Sequence, residues 1–128
     1  MRVKKVLVCD DEPHIVESVS YLVHKLGHAV EVASNGEQAL GRARLLMPDV
    51  MILDVRMPML NGDEVCRILK ADESTKAIHI IILTAFGQKH DEESLRAAGA
   101  NEYMTKPFSP RAFKARLARL LGGAEQSE

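Results

Sequence analysis

The sequence contains no tryptophan and few other aromatic residues, with three Phe and two Tyr among 128 residues. Its core must therefore be built mainly from aliphatic side chains, which are plentiful, since hydrophobic residues make up 46% of the chain. Cysteine is also scarce. Cys9 and Cys66 are far apart and form no C-x-x-C pair, which argues against a disulfide framework or a cysteine metal site. Both fall in apolar or helical patterns, so we predict two reduced core thiols.

The chain has no marked excess of charge of either sign. It carries 17 basic and 18 acidic residues, a formal net charge of -1, so nothing favours binding to nucleic acid or to an anionic membrane. No apolar stretch approaches the ~20 residues that span a bilayer. The basic and then apolar start is too short for a signal peptide and lacks a cleavage site. We therefore expect a soluble, cytoplasmic protein.

Five short apolar or alternating segments, typical of β-strands, are separated by amphipathic helical patterns. The predicted strands lie near residues 3–9, 28–33, 50–53, 78–83 and 103–104. Strands that are apolar on both faces and alternate with amphipathic helices predict a parallel sheet covered by helices on both sides. The predicted fold class is α/β, with a single domain at residues 1–122 and a flexible C-terminal tail at residues 123–128.

The predicted helices begin and end at recognisable residues. Pro13 suits the first turn of the first helix, and Gly27 would end that helix. Either Ser34 or Asn35 can cap the second helix, which ends before Pro48.

Four of the five predicted strands end in polar residues. Asp10 and Asp11 follow the first, Asp54 the third, Thr84 the fourth and Lys106 the fifth. Taken singly, an aspartate here is more often a helix cap or a solvated strand end, but ligands of open parallel sheets bind beyond these strand ends. Three carboxylates in one pocket repel each other unless a proton or a cation is taken up, and Mg²⁺ prefers oxygen ligands and phosphate. With Lys106 and Thr84 as partners for phosphoryl oxygens, Asp54 is the best candidate for a nucleophile that forms an aspartyl phosphate.

Four separated segments resemble the response-regulator receiver domains of two-component signalling. They are VLVCDDEP, PDVMILDVRMPMLNG, IIILTA and GANEYMTKPF, and they follow the family's order over residues 3–121. The resemblance implies a flavodoxin-like, doubly wound (βα)5 domain with sheet order 2-1-3-4-5. It also implies a signalling phosphoacceptor rather than an enzyme. Its phosphoryl donor would be the phosphohistidine of a histidine kinase or histidine phosphotransfer protein, and the domain would assist its own phosphorylation and dephosphorylation.

The resemblance assigns a role to each polar residue at the strand ends. Asp54 would be the phosphoacceptor, Asp11 a direct Mg²⁺ ligand, and Asp10 a ligand acting largely through water. The backbone carbonyl of Arg56 would complete the protein ligands of the metal. The five histidines of the chain would play no part in phosphotransfer, and we read them as surface or helix-end residues: His14, His24, His28, His79 and His90.

The same resemblance implies a conformational switch. Lys106 would contact the phosphoryl group, its bond to Pro107 being cis, and the Thr84 hydroxyl would move to bond a phosphoryl oxygen. Tyr103 would then turn inward into space left beside Ala85.

The implied output surface is the fourth helix, the fifth strand and the fifth helix. It is rich in charge and partly resembles the dimer face of winged-helix regulators, which would allow a homodimer on phosphorylation. Ala112 stands where an acid is often found in that face. The charged residues of the surface are Lys89, Glu92, Glu93, Arg96, Glu102, Arg111, Lys114 and Arg116.

Arg56 and Phe86, two residues beyond Asp54 and Thr84, would shield the acyl phosphate from water and slow self-dephosphorylation.

Three rival interpretations stay open on the sequence alone. A flavodoxin would need a phosphate loop in place of the three acids after the first strand. A Mg²⁺-dependent phosphatase of the haloacid-dehalogenase type would need a carboxylate two residues after Asp54, where this chain has Arg56. A receiver that is never phosphorylated, acting only as a scaffold, is the third.

Overall fold

The computed structural model describes residues 3–85, 93, 96–106 and 108–121. Five parallel strands form one sheet in the order β2-β1-β3-β4-β5, as the resemblance implied. The strands are β1 (Lys5–Cys9), β2 (Ala29–Ala33), β3 (Val50–Asp54), β4 (His79–Ala85) and β5 (Glu102–Lys106). The helices are α1 (Pro13–Lys25), α2 (Gly36–Leu46), α3 (Gly62–Ala71) and a C-terminal helix (Pro110–Leu121). Residues 96–98, within the predicted fourth helix, are also helical.

The central strands are apolar because helices cover both of their faces. All five residues of β3 are buried, and four of the five in β1, whereas the edge strand β2 keeps exposed and half-exposed positions. Continuous apolar runs are what a doubly covered parallel sheet requires. The predicted alternation near residues 28–33 belongs to the edge strand.

Each face of the sheet has its own hydrophobic core. On one face, α2 and α3 pack Ala39, Ala43, Val65, Cys66 and Leu69 against the strands. On the other, α1 and the C-terminal helix contribute Val19, Val23, Leu26, Phe113, Leu117 and Leu121. The prediction of two buried thiols is confirmed, since both cysteines are buried and free.

The helix ends follow the predicted residues closely. Asn35, rather than Ser34, caps α2, its side chain accepting a hydrogen bond from Gln38 N at 2.8 Å. Gly27 follows α1 with a φ of 88°, a left-handed conformation that glycine adopts without strain. None of the helices within the described residues has the length and apolar content needed to cross a membrane.

His28 is a helix-end residue and not a surface residue, since its N–H donates a hydrogen bond to Val23 O of α1 at 3.2 Å. His28 is buried, with 4% of its surface exposed, and its Nδ1 accepts a hydrogen bond from Lys4 N at 3.0 Å. The residue precedes edge strand β2, and a sequence pattern does not reveal that the neighbouring strand's backbone approaches the ring. His90 lies outside the described residues.

Candidate functional site

Three carboxylates from two neighbouring strands meet at the carboxyl edge of the sheet. Asp10, Asp11 and Asp54 each offer an oxygen within 4.8 Å of the other two. They meet because Cys9 of β1 pairs with Leu53 of β3, so the residues that follow, Asp10 and Asp54, lie side by side at the end of the two strands. Asp10 and Asp54 are buried, whereas Asp11 is exposed to solvent.

Asp10 is fixed by the backbone around it and does not cap α1. Its N–H donates to Ala33 O at 3.1 Å, which extends the contact between β1 and β2. Its Oδ1 accepts a hydrogen bond from Glu12 N at 3.0 Å, and Glu12 is the N-cap residue, without a side-chain cap of its own. The side chain of Asp10 is therefore oriented toward the strand edge.

Lys106 is the cation that faces these acids. Its Nζ lies 3.2 Å from Asp10 Oδ2, 3.3 Å from Asp54 Oδ1 and 3.8 Å from Glu12 Oε1. Burial of Lys106 opposes its charge, but the carboxylates of Asp54 and Asp10 outweigh burial and raise the pKa of the ammonium group. Lys106 therefore stays charged at neutral pH. Sequence reasoning missed the contact with Glu12, although Glu12 directly follows the two aspartates.

One ammonium group does not neutralise the cluster. Burial, followed by the charge of Asp10, raises the pKa of Asp54 to about 6, although Lys106 and the backbone N–H of Arg56 act in the opposite direction. The uncompensated negative charge on Asp10 and Asp54 would be stabilised by a further cation bound beside them. Oxygen donors around a partly solvated cavity suit a hard divalent ion such as Mg²⁺.

The loop after Asp54 is held by two glycines. Gly62 N donates to Val55 O at 2.8 Å, and a Cβ on Gly62 would collide with the carbonyl oxygen of Asp54. Gly36 N donates to Pro58 O at 3.1 Å, and a Cβ there would collide with Leu60. The loop is therefore clamped between α2 and α3. Sequence reasoning used Asn61-Gly62 only as a helix start and missed this function.

A cavity of about 310 Å³ opens over the acids. Thr84 is buried near the end of β4 and lines this cavity, and its role as a hydroxyl partner of the phosphoryl group stays a prediction. The lining residues are Asp11, Glu12, Asp54, Val55, Arg56, Thr84 and Lys106.

Tyr103 is half-buried on β5, against the core that α2 and α3 share. Its hydroxyl accepts a hydrogen bond from Arg96 Nε at 2.6 Å. Three other predictions fall on Phe86, on Pro107 and on the side chain of Ala85, which lie outside the described residues.

Residues 6–118 match the model of one protein family, the response regulator receiver domain. The chain belongs to this family. A related protein from Bacillus subtilis, the alkaline phosphatase synthesis transcriptional regulatory protein PhoP, is 42% identical over 95% of this chain and 50% of its own length. The response regulator MtrA of Mycolicibacterium smegmatis, described as DNA-binding, is 37% identical over 91% of this chain and 50% of its own. The receiver domain thus spans about half the length of these curated relatives.

Solved structures agree with the fold of the receiver domain. The chemotaxis response regulator CheY4 of Vibrio cholerae superposes with a TM-score of 0.86, is 32% identical, and covers 94% of this chain and 100% of its own. The receiver domain of the sensor histidine kinase PA1611 from Pseudomonas aeruginosa superposes with a TM-score of 0.84 at 30% identity, over 95% and 100% of the two chains. It contains a magnesium ion coordinated in its active-site cleft.

Family membership establishes the general function. The chain is a CheY-like response regulator receiver domain of two-component signalling, a signalling module rather than a flavodoxin or a haloacid-dehalogenase-type phosphatase.

Proposed function

We propose that the receiver domain accepts a phosphoryl group on a carboxylate oxygen of Asp54. The observation that carries the proposal is the convergence of three aspartates within 4.8 Å beside the ammonium group of Lys106. A carboxylate oxygen would attack phosphorus as the phosphorus–nitrogen bond of a phosphohistidine breaks, and the imidazole would leave with that bonding pair. With a proton on the other ring nitrogen of the phosphohistidine, the products would be an aspartyl phosphate and a neutral histidine on the donor.

The proposed metal is Mg²⁺, held by Asp10, Asp11 and Asp54 with the backbone carbonyl of Arg56. When bound, it would neutralise charge on the carboxylates and on the transferring phosphoryl oxygens. The fit of the chain to this ion is supported by the all-oxygen ligand set and by the raised pKa of Asp54. The magnesium ion in the cleft of the Pseudomonas receiver domain adds support from a relative.

The other site residues would act on the phosphoryl group directly. Lys106 already lies 3.3 Å from Asp54 Oδ1, so its ammonium group would reach an oxygen of a phosphoryl group carried there. The Thr84 hydroxyl would donate a hydrogen bond to another oxygen, and Tyr103 would follow into the space that Thr84 leaves. These movements would pass the phosphorylation state to the surface formed by the fourth helix, β5 and the C-terminal helix.

The proposed donor is a histidine kinase or a histidine phosphotransfer protein. The proposed acceptor of the signal is a partner, or a second copy of this chain, that binds the output surface. The Bacillus relative is a transcriptional regulatory protein and the Mycolicibacterium relative is DNA-binding, and both are about twice this length. They suggest a DNA-binding output in the same polypeptide. The receiver domain itself would bind neither nucleic acid nor membrane.

We further propose slow loss of the phosphoryl group. Arg56 is exposed and lines the cavity over Asp54, where its long side chain would hinder the approach of water to the acyl phosphate. Replacing Arg56 by Ala should therefore speed self-dephosphorylation, measured as decay of the phosphorylated band. An unchanged decay would contradict this assignment.

Phosphorylation by a small-molecule donor tests the main proposal. The domain is incubated with acetyl phosphate and Mg²⁺, and the products are separated on a phosphate-affinity gel. We expect a shifted band that disappears in Asp54→Asn and in the presence of EDTA but persists in Asp72→Asn, a change at an exposed aspartate outside the site. No shift in the unaltered domain would favour a scaffold that is never phosphorylated, and a shift retained in Asp54→Asn would place the phosphate elsewhere.

Association is tested on the same samples by size-exclusion chromatography with beryllofluoride. Earlier elution than the untreated domain is expected if the output surface binds a second copy. Unchanged elution would mean that the output surface binds a different partner and not a second copy of this chain.

A further inference from the structure

The hydroxyl of Tyr103 is held by one arginine. Arg96 Nε donates a hydrogen bond to the Tyr103 hydroxyl at 2.6 Å, and the guanidinium carbon lies 5.7 Å from the centre of the ring. The guanidinium therefore lies beyond the oxygen end of the ring, and the contact that restrains Tyr103 is the charged hydrogen bond to its hydroxyl. Arg96 is exposed, so the contact lies at the surface of the domain and not inside the core.

The backbone around Arg96 is anchored to the rest of the fold. Ala98 is buried, and its carbonyl accepts a hydrogen bond from Cys66 Sγ of α3 at 3.6 Å. Asn101 is bonded twice to Ile80 of β4, through its N–H at 3.0 Å and through its Oδ1 at 2.8 Å. The backbone near Arg96 is thereby fixed relative to α3 and β4. The part of Arg96 that can move to release the Tyr103 ring is therefore its long side chain.

Tyr103 shares a face of the sheet with the hydroxyl at the acidic cavity. Thr84 of β4 pairs with Thr105 of β5, and Tyr103 lies two residues before Thr105. Because alternate residues of a strand point to the same face, Tyr103 and Thr84 are separated by one same-face step, about 7 Å along the strand. Arg96 is exposed and Thr84 is buried, so we infer that a ring turning inward toward Thr84 would carry its hydroxyl away from Arg96 and break their contact.

We propose that Arg96 is a latch that holds Tyr103 in its resting position and so sets the threshold for activation. This inference rests on the proposed function, in which Tyr103 moves on phosphorylation, because Arg96 would restrain that movement. The bond stabilises only the resting arrangement, and removing an interaction made in one of two states shifts their equilibrium toward the other. Loss of Arg96 should therefore make the domain easier to activate.

Fluorine NMR on the whole chain can measure the latch. The chain has two tyrosines, Tyr21 and Tyr103, so 3-fluorotyrosine labelling gives two resonances that a Tyr21→Phe variant assigns. Beryllofluoride with Mg²⁺ imitates a bound phosphoryl group, and the same nucleus reports the fraction of beryllofluoride that is bound. In Arg96→Met we expect the resting Tyr103 resonance to move toward its beryllofluoride-bound position. The beryllofluoride concentration at half-saturation should fall about three- to tenfold, as for loss of one hydrogen bond at the solvent-exposed surface.

The matched control is Arg67→Met on α3. Arg67 is also an exposed arginine, with an ion pair of 3.9 Å to Asp63, and should leave both measurements unchanged. Tyr103→Phe removes the acceptor and keeps the ring. In that background Arg96→Met should cause less than half of its original change in half-saturation, because the two residues act as a pair.

The outcomes separate the two proposals. If the unaltered domain binds beryllofluoride at Asp54 and Arg96→Met behaves like Arg67→Met, the latch is wrong and the proposed function stands. If the effect of Arg96→Met is equally large in the Tyr103→Phe background, Arg96 acts through something other than the hydroxyl and the latch is again wrong. If the unaltered domain neither binds beryllofluoride nor shifts its Tyr103 resonance, the proposed function fails and the latch fails with it.

Discussion

At the scale of single residues, the charge on Asp54 opposes the stability of the metal-free fold. Its pKa is about 6 in the folded chain and about 3.8 in the unfolded chain, so between these values the folded state binds more protons. The unfavourable contribution is fully present above about pH 6 and disappears below about pH 4. Because solvent screens part of this charge, we expect Asp54→Asn to raise the free energy of unfolding by about 1–2 kcal/mol at pH 7.5 in EDTA.

Urea denaturation at pH 7.5 and at pH 4 measures this gain, which should be absent at the lower pH. Asp72 is the control, because its pKa is shifted in the opposite direction from that of Asp54. Hydrogen bonds from Ser74 N and Ser74 Oγ lower the pKa of this exposed carboxyl group. Asp72→Asn should not stabilise the domain at either pH. A neutral or destabilising effect of Asp54→Asn at pH 7.5 would contradict the charge balance described for the site.

Lys106 occupies the acidic cluster as an internal cation. Its ammonium group lies within 3.3 Å of both Asp10 and Asp54, so it repels any divalent ion bound by the same carboxylates. We expect Lys106→Met to tighten Mg²⁺ binding about three- to tenfold at pH 7.5, while phosphorylation by acetyl phosphate slows. Isothermal titration calorimetry measures the affinity. Lys76→Met, at an exposed lysine paired with Glu73, is the control and should bind Mg²⁺ like the unaltered chain.

At the scale of elements, the strand edge is positioned by the close approach of α3 to β3. Gly62 has no room for a side chain because the carbonyl of Asp54 lies against it, whereas a Cβ on Gly41, in the middle of α2, would meet nothing within 4 Å. Gly62→Ala should lower the free energy of unfolding by more than about 2 kcal/mol and weaken Mg²⁺ binding, because the backbone at Asp54 has to shift. Gly41→Ala should instead stabilise the domain by about 0.5–1 kcal/mol.

Thermal and urea denaturation of the two alanine variants tests this contrast. Equal effects at the two positions would mean that helix propensity alone decides, and that α3 does not position the phosphoacceptor strand.

The strands and helices also show which parts of the structure the sequence could predict and which parts it could not. Apolar runs located β1, β3 and β4, because strands buried on both faces need apolar residues at every position, and alternation located the edge strand β2. The polar residues at the strand ends predicted the acidic cluster. The boundaries were less accurate: β5 extends over Glu102–Lys106, not only residues 103–104, because its pairing with β4 defines it. The contacts of Lys106 with Glu12 and of Arg96 with Tyr103 depend on side-chain directions that no local pattern encodes.

At the scale of the whole molecule, we propose that the folded domain ends near residue 122. The last core side chain of the C-terminal helix is Leu121, and the following GGAEQSE is polar and glycine-rich. Deletion of residues 123–128 should leave the free energy of unfolding and the rate of phosphorylation unchanged within error. Deletion from Leu121 onward removes a buried leucine and should destabilise the domain by about 2–5 kcal/mol, as measured by urea denaturation.

The proposed metal site is a property of the folded chain as a whole, because its ligands come from β1 and β3, more than forty positions apart in the sequence. An ion that binds only the folded state raises the free energy of unfolding by about 1.4 kcal/mol for each tenfold increase in its concentration above the dissociation constant. Urea denaturation at increasing Mg²⁺ should show this slope in the unaltered domain and lose it in Asp11→Asn. In EDTA the Asp54→Asn variant is expected to be more stable than the unaltered domain, but Mg²⁺ should raise its free energy of unfolding less. The difference in free energy of unfolding between the two proteins should therefore narrow as the Mg²⁺ concentration increases. Parallel lines for all three proteins would mean that the acidic cluster does not bind the ion.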